Sequence, residues 1–168
     1  MRNTNLPLLQ LTAKDLMSTD VESIPQWMSL PSAARMLSRA HISGAPVVDG
    51  DGRCLGVIST TDFMTWAENG EGAAHSESDV CCAHSAWQMV EEKDLPVNLV
   101  RRYMTANPVT VPPDLSIGEL AQKMVDAHIH RVIVVDKENK PLGIISSTDV
   151  LAAVANLAKR KRELECRK

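Results

Sequence analysis

Aromatic side chains are nearly absent from this chain of 168 residues: three Trp, one Tyr and one Phe, together 3% of the sequence. Hydrophobic residues still make up 44%, so a core has to be assembled from Val, Ile, Leu, Met and Ala. A chain of this length buries about two-thirds of its unfolded surface on folding, enough for one domain or two small ones. Long apolar runs are missing too. None approaches the roughly twenty residues that a membrane-spanning helix needs. Leu6 to Leu11, interrupted by Pro7 and Gln10, is too short for the apolar stretch of an export signal. Of four cysteines, Cys81 and Cys82 are adjacent, Cys166 lies in the tail and Cys54 stands alone. That spacing is no disulfide framework, and a reducing, cytoplasmic location is expected. Neither sign of charge dominates: the net value is −3, which gives no reason to expect a nucleic-acid partner. The basic clusters Lys159–Arg162 and Arg167–Lys168 read as a solvated helix end, where cations suit the helix dipole.

Catalytic and cofactor motifs are missing as well. No Gly-x-x-x-x-Gly-Lys-Ser/Thr occurs, which excludes a P-loop. Gly50-x-Gly52-x-x-x-Gly56 has the wrong spacing for dinucleotide binding and sits in a hairpin rather than before a helix. His75, Cys81, Cys82 and His84 offer no C-x-x-C pair, and adjacent cysteines rarely both ligate one tetrahedral ion. No nucleophile, base and orienting group can be assembled. Neither a metal site nor a catalytic site is expected.

What the chain does have is a repeat. Met17 to Asp62 aligns without a gap on Met104 to Asp149, and roughly a third of the paired positions are identical. The identities cluster in Ala40-His41-Ile42 against Ala127-His128-Ile129, and in Val47-Val48-Asp49 against Val134-Val135-Asp136. They cluster again in Leu55-Gly56-x-Ile58-Ser59-x-Thr61-Asp62 against Leu142-Gly143-x-Ile145-Ser146-x-Thr148-Asp149.

Each copy reads as β-α-β-β-α. An extended piece comes first, Val21–Pro25 or Pro108–Pro112. A helix follows with Ser29 or Ser116 as N-cap, and Ser116-x-x-Glu119 predicts a capping box. Leu30, Ala33, Ala34 and Leu37, matched by Ile117, Leu120, Ala121 and Met124, form the i, i+3, i+4, i+7 stripe of a half-buried helix; Pro31 is tolerated in its first turn. Two short strands rich in β-branched residues come next, Ala45–Asp49 and Leu55–Ile58, or Val132–Asp136 and Leu142–Ile145. Gly50-Asp51-Gly52 and Lys137-Glu138-Asn139 turn the hairpins. The second helix begins at Asp62 or Asp149, over Phe63–Ala67 and Val150–Ala158. His41 and His128, near the first helix end, suit a hydrogen bond to a terminal carbonyl. Thr12–Met17 and Val97–Met104 read as lead-in helices. Between the copies, Asn69–Asp79 reads as a mobile loop, and Val80–Leu95 as a segment partly docked through Trp87. One copy alone cannot bury both faces of a three-stranded sheet. The expected fold class is therefore α+β, two βαββα motifs packed as one pseudo-twofold unit. The divisions are a tail over 1–10, motif one over 11–67, the inter-repeat segment over 68–96, motif two over 97–157, and a basic tail over 158–168.

Ser43-Gly44-Ala45-Pro46-Val47-Val48-Asp49 followed by Gly56-Val57-Ile58-Ser59-Thr60-Thr61-Asp62 resembles the cystathionine-β-synthase (CBS) domain motif. His130-Arg131-Val132-Ile133-Val134-Val135-Asp136 through Gly143-Ile144-Ile145-Ser146-Ser147-Thr148-Asp149 resembles it equally. The resemblance implies a CBS pair, or Bateman module, with clefts that take AMP, ADP, ATP, S-adenosylmethionine or NAD. Carried over residue by residue, it implies Asp149 and Asp62 for the ribose hydroxyls and Ser146 and Ser59 for ribose or phosphate, with Thr148 and Thr61 beside them. It implies Val109 and Thr110, or Val21 and Glu22, for the adenine wall, and His130 and Arg131 for phosphate. Ser stands where the family more often has Thr, and Ile133 where it often has Pro. The implied protein is non-catalytic and regulatory, an energy sensor without a required cofactor. It works as a homodimer, reporting an adenosine-type ligand to an unknown regulated protein. Two other readings stay open: Asp62 and Asp149 also suit a plain helix start, and the module could be a dimerisation unit that binds no nucleotide. His130, Arg131 and Lys140 stand against Ser43, Gly44 and Arg53, and Glu22 would repel phosphate, so the second motif is expected to hold the better site.

Overall fold

The computed structural model describes residues 10–68 and 98–165, with side chains as far as 156. The inter-repeat stretch with Cys81, Cys82 and Trp87, and the side chains of the basic tail, lie outside the described residues. The first copy runs α1 (Ala13–Leu16), β1 (Ile24–Pro25), α2 (Leu30–Arg39), β2 (Gly44–Val48), β3 (Cys54–Ser59) and α3 (Thr60–Glu68). The second runs α4 (Val100–Tyr103), β4 (Thr105–Ala106), β5 (Thr110–Val111), α5 (Ile117–Asp126), β6 (Arg131–Val135), β7 (Pro141–Ser146) and α6 (Ser147–Glu165). The expected β-α-β-β-α order is present in both. The leading extended pieces form only two paired residues each, parallel to β2 and β6.

Each block of internal identity has a local structural task. Ala-His-Ile ends the first helix. His41 and His128 take φ of 54° and 55°, and the amides of Ile42 and Ile129 reach back to Leu37 and Met124 at 3.1 and 3.0 Å. These are the bonds of a Schellman cap, with His where Gly is usual. His128 Nδ1–H also donates to the Val125 carbonyl at 2.8 Å. Val-Val-Asp ends in the hairpin. Asp49 Oδ1 accepts from the amides of Asp51 and Arg53 at 2.9 and 2.8 Å, and Asp136 Oδ1 from those of Glu138 and Lys140 at 2.8 Å each. An Asp that bonds the backbone two residues on fixes the turn.

Ser116 caps α5 as expected, its hydroxyl and Glu119 bonding reciprocally, and that bond holds the Glu119 carboxyl below the usual range. Ser29 does not cap α2 with its side chain. Position 32 carries Ser rather than an acid, and the two hydroxyls bond each other at 3.0 Å.

The lead-in segments are exchanged between copies. α1, which precedes the first copy, packs on the second. The amides of Ala13 and Lys14 donate to Leu115 and Pro113, Ile117 to Leu11, and Ser18 and Ile144 bond each other, all within 2.9–3.1 Å. Leu11, Ala13 and Leu16 are buried with Val111, Leu120, Val132 and Ile145. α4 repeats this on the first copy. Leu30 donates to Asn98, Val100 to Met28 and Arg101 to Gln26 at 2.9–3.0 Å. β4 adds a fourth strand to the sheet β1-β2-β3-β4, and Val100 is buried with Ile24, Leu30, Val47 and Ile58. Burying one such aliphatic side chain stabilises by about 1.5–3 kcal/mol.

Two contacts complete the union. Cys54, Ile133 and Val135 form a buried seam with Val57. Across it the Cys54 amide donates to the Asn139 carbonyl and Asn139 Nδ2 returns to the Cys54 carbonyl, 2.8 Å each. Burial pushes the Cys54 thiol up, which keeps it protonated. The exchanged methionines lie on the two matched glycines. A Cβ at Gly143 would stand 2.5 Å from Met17 Sδ, and one at Gly56 would stand 2.7 Å from both Met104 Sδ and the Thr105 carbonyl. Any side chain there pushes the other copy's lead-in away.

Gly143→Ala is expected to lower unfolding free energy by about 1–3 kcal/mol, read from urea denaturation. Because the clash is with Met17, the loss in Gly143→Ala/Met17→Ala should fall short of the sum of the single losses. Strict additivity would show that the contact is not the cause.

Candidate ligand-binding clefts

The antiparallel register of β6 and β7 sets Arg131 opposite Ser146. The Ser147 amide bonds the His130 carbonyl at 2.9 Å. Asp149 Oδ2 accepts from the Ser146 amide at 2.9 Å and from its hydroxyl at 2.5 Å, while the Asp149 amide donates to Ser146 Oγ at 3.3 Å. His130, Arg131, Ser146 and Asp149 therefore gather at one end of the sheet, at the start of the 19-residue helix α6. The first copy repeats the frame. Gly44 lies opposite Ser59, Thr60 bonds the Ser43 carbonyl at 2.9 Å, and Asp62 Oδ2 accepts from the Ser59 amide and hydroxyl at 2.7 and 2.8 Å.

The helices thus start at Thr60 and Ser147, two residues before the expected Asp62 and Asp149. The serine is the N-cap and the aspartate the third helical residue, the geometry of a capping box. The expected start fails because the aspartate carboxylate reaches back to an amide that precedes the helix. Thr61 and Thr148 stand exposed in the same first turn. Thr12 and Asp15 form the same box on α1, a pattern that could have been read from Thr-x-x-Asp before an apolar run.

The two clusters differ in charge. Arg131 is exposed. Its counterpart is Gly44, where a Cβ would meet the Ile58 carbonyl at 2.9 Å, so that strand start is closed to any side chain. Val109 precedes β5, and Thr110 pairs with Ile133, two positions beyond Arg131. Thr110 lines a different cleft of about 410 Å³ with Pro112, Asp114, Val135, Lys137 and Leu142, which includes none of the other candidate residues. Glu22 lines a cleft of about 470 Å³ with Ser32, Arg35 and Arg39, whose walls do not include Asp62. Val21 is half-buried just before β1. Among the described residues no three His, Cys, Asp or Glu are grouped to hold a metal; His75, Cys81, Cys82 and His84 lie outside them. Among the described residues no helix is long and apolar enough to cross a membrane.

Two α+β motifs of matched topology, each with the same serine–aspartate box after its second hairpin strand, define a tandem module closed by exchange. The CBS domain family model matches residues 13–69 and 100–156: the chain belongs to the CBS domain family, as a tandem pair. It is 30% identical over 135 residues to the uncharacterized protein MJ1426 of Methanocaldococcus jannaschii, covering 71% of this chain and 77% of that one. It is similar to the CBS domain pair of protein MJ0100 in complex with 5-methylthioadenosine and S-adenosyl-L-methionine. The TM-score there is 0.66 and the identity 22%, over 89% of this chain and 98% of that one. It is also similar to CBSX2 in complex with AMP, with a TM-score of 0.67 and 19% identity over 88% and 98%; CBSX2 is from Arabidopsis thaliana. Some curated relatives are far longer: the chain spans only 22% of the homoserine O-acetyltransferase of Methanohalobium evestigatum.

Removing a cap side chain typically costs about 1 kcal/mol. Ser59→Ala and Ser146→Ala should each lower the urea midpoint accordingly with no ligand present, and unchanged midpoints would refute the capping role.

Proposed function

We propose that the chain is a non-catalytic regulatory module that binds an adenosine-containing ligand, such as AMP, ADP, ATP or S-adenosylmethionine, at the second-motif cluster. The observation that carries this reading is the meeting of Asp149, Ser146, His130 and Arg131 at the start of α6. A carboxylate has two oxygens and about four acceptor positions, and a vicinal diol is a donor pair suited to such a group. The first-turn amides of α6 and the fork of Arg131 suit a phosphate. Asp62, Ser59 and Thr61 repeat the diol half of the arrangement without the cation, so the first cluster is the weaker binder. The complexes of MJ0100 and CBSX2 with adenosine compounds support the ligand class.

The ligand would act by differential affinity for two arrangements of the motifs, and it can shift their equilibrium only by that difference. Output requires a listener. We assign a homodimer to the exposed apolar positions of the second helices, Met64 and the matched Leu151, and leave the regulated protein to be found. One observation favours a second reading, a pairing module without nucleotide: in both copies the aspartate already serves its own helix start.

Thermal melting with each compound separates the two. A ligand at one hundred times its Kd adds about 2.7 kcal/mol, and Arg131→Ala should reduce the shift for AMP more than for adenosine. No shift with any of AMP, ADP, ATP, NAD or S-adenosylmethionine would leave the pairing reading.

A further inference from the structure

The outward surfaces of the matched helices carry opposite charge. α2 has Arg35 and Arg39, one turn apart and both exposed, and no acid along its length. The same positions of α5 hold Gln122 and Asp126, and Glu119 stands exposed one turn earlier, against the single Lys123. α2 packs on α3 and α5 on α6. The second helix of each copy adds an exposed apolar residue at the matched position, Met64 at 62% and Leu151 at 66% exposure, with Val154 beside the latter.

We propose that this surface receives a second copy of the chain turned head to tail, with α2 and α3 of one copy facing α5 and α6 of the other. The proposal rests on the homodimer reading above and adds its orientation. A closed pair of identical chains has a twofold axis, and the internal repeat offers two ways to place it. Like on like sets Arg35 and Arg39 against their own copies, and Glu119 and Asp126 against theirs. Head to tail sets each arginine pair against the acids of the other chain, at two equivalent places. Met64 and Leu151 do not choose between these arrangements, because they occupy matched places and meet an apolar neighbour either way. The charges do choose, since like charges brought together suppress the wrong pairing. Glu22 beside the arginines, Glu68 at the end of α3 and Lys123 on α5 are the opposing charges. They leave α2 basic and α5 acidic.

Analytical ultracentrifugation of the full chain at low ionic strength tests this with three samples. One is Arg35→Glu/Arg39→Glu, the second is Gln122→Arg/Asp126→Arg, and the third is their equimolar mixture. Head-to-tail pairing predicts that each variant alone dimerises about tenfold or more weakly than wild type, because it sets like charges together. The mixture should return to wild-type dimerisation, since both of its contacts are again complementary. The milder Arg39→Gln should shift dimerisation the same way by less, and circular dichroism confirms that each variant is folded. Variants that dimerise as well as wild type or better would overturn the orientation and leave the homodimer standing. A wild-type chain that stays monomeric would overturn both. Ligand-dependent melting, read separately, reports on the nucleotide site in every case.

Discussion

Each copy of this repeat is completed by the segment that leads into the other. Met17 lies on Gly143 and Met104 on Gly56. α1 is buried in the core of the second copy, and α4 in that of the first. A three-stranded sheet with two helices leaves apolar surface that it cannot cover, and the exchange covers it from about one motif away along the chain. The Cys54–Asn139 pair and the aliphatic seam then join the sheets directly. Packed side chains and backbone bonds therefore run from one copy to the other.

The same hydroxyl–acid device recurs at four helix starts: Thr12–Asp15, Ser59–Asp62, Ser116–Glu119 and Ser146–Asp149. Capping is therefore the common denominator, and any ligand role is laid on top of it. What distinguishes the Ser146–Asp149 start is Arg131 opposite the serine, where the first copy has a glycine with no room for a side chain. The internal duplication kept the frame and let the charges diverge, both at the clefts and on the outer faces of α2 and α5.

Much of this was legible in the chain because it is local. The hairpins, the apolar stripe on the first helices and the Ser116 capping box follow from spacing alone, and two copies of every signal made the α+β pair readable. The misreadings came where a side chain looks backward or a segment crosses over. Asp62 and Asp149 read as helix starts, but their carboxylates bond amides that precede them. Ser29 reads as a cap, but lacks the acid three residues on. Thr110 lies on β5 and Glu22 just before β1, both within the expected extended pieces, and each lines a cleft whose walls do not include Asp62 or Asp149. The exchange of α1 and α4 has no local signal at all. The matched glycines were visible as identities, but not the methionines that require them.

The central claim is that the two halves are one cooperative unit because each holds the other's lead-in. Amide hydrogen exchange on Met17→Ala tests it directly. Met17 packs against the core of the second copy and lies on Gly143, so independent halves would lose protection mainly around Val134 and Ile145. The account predicts equal losses at Val47 and Ile58 in the first copy, within the error of the measurement. Unchanged protection there would contradict it.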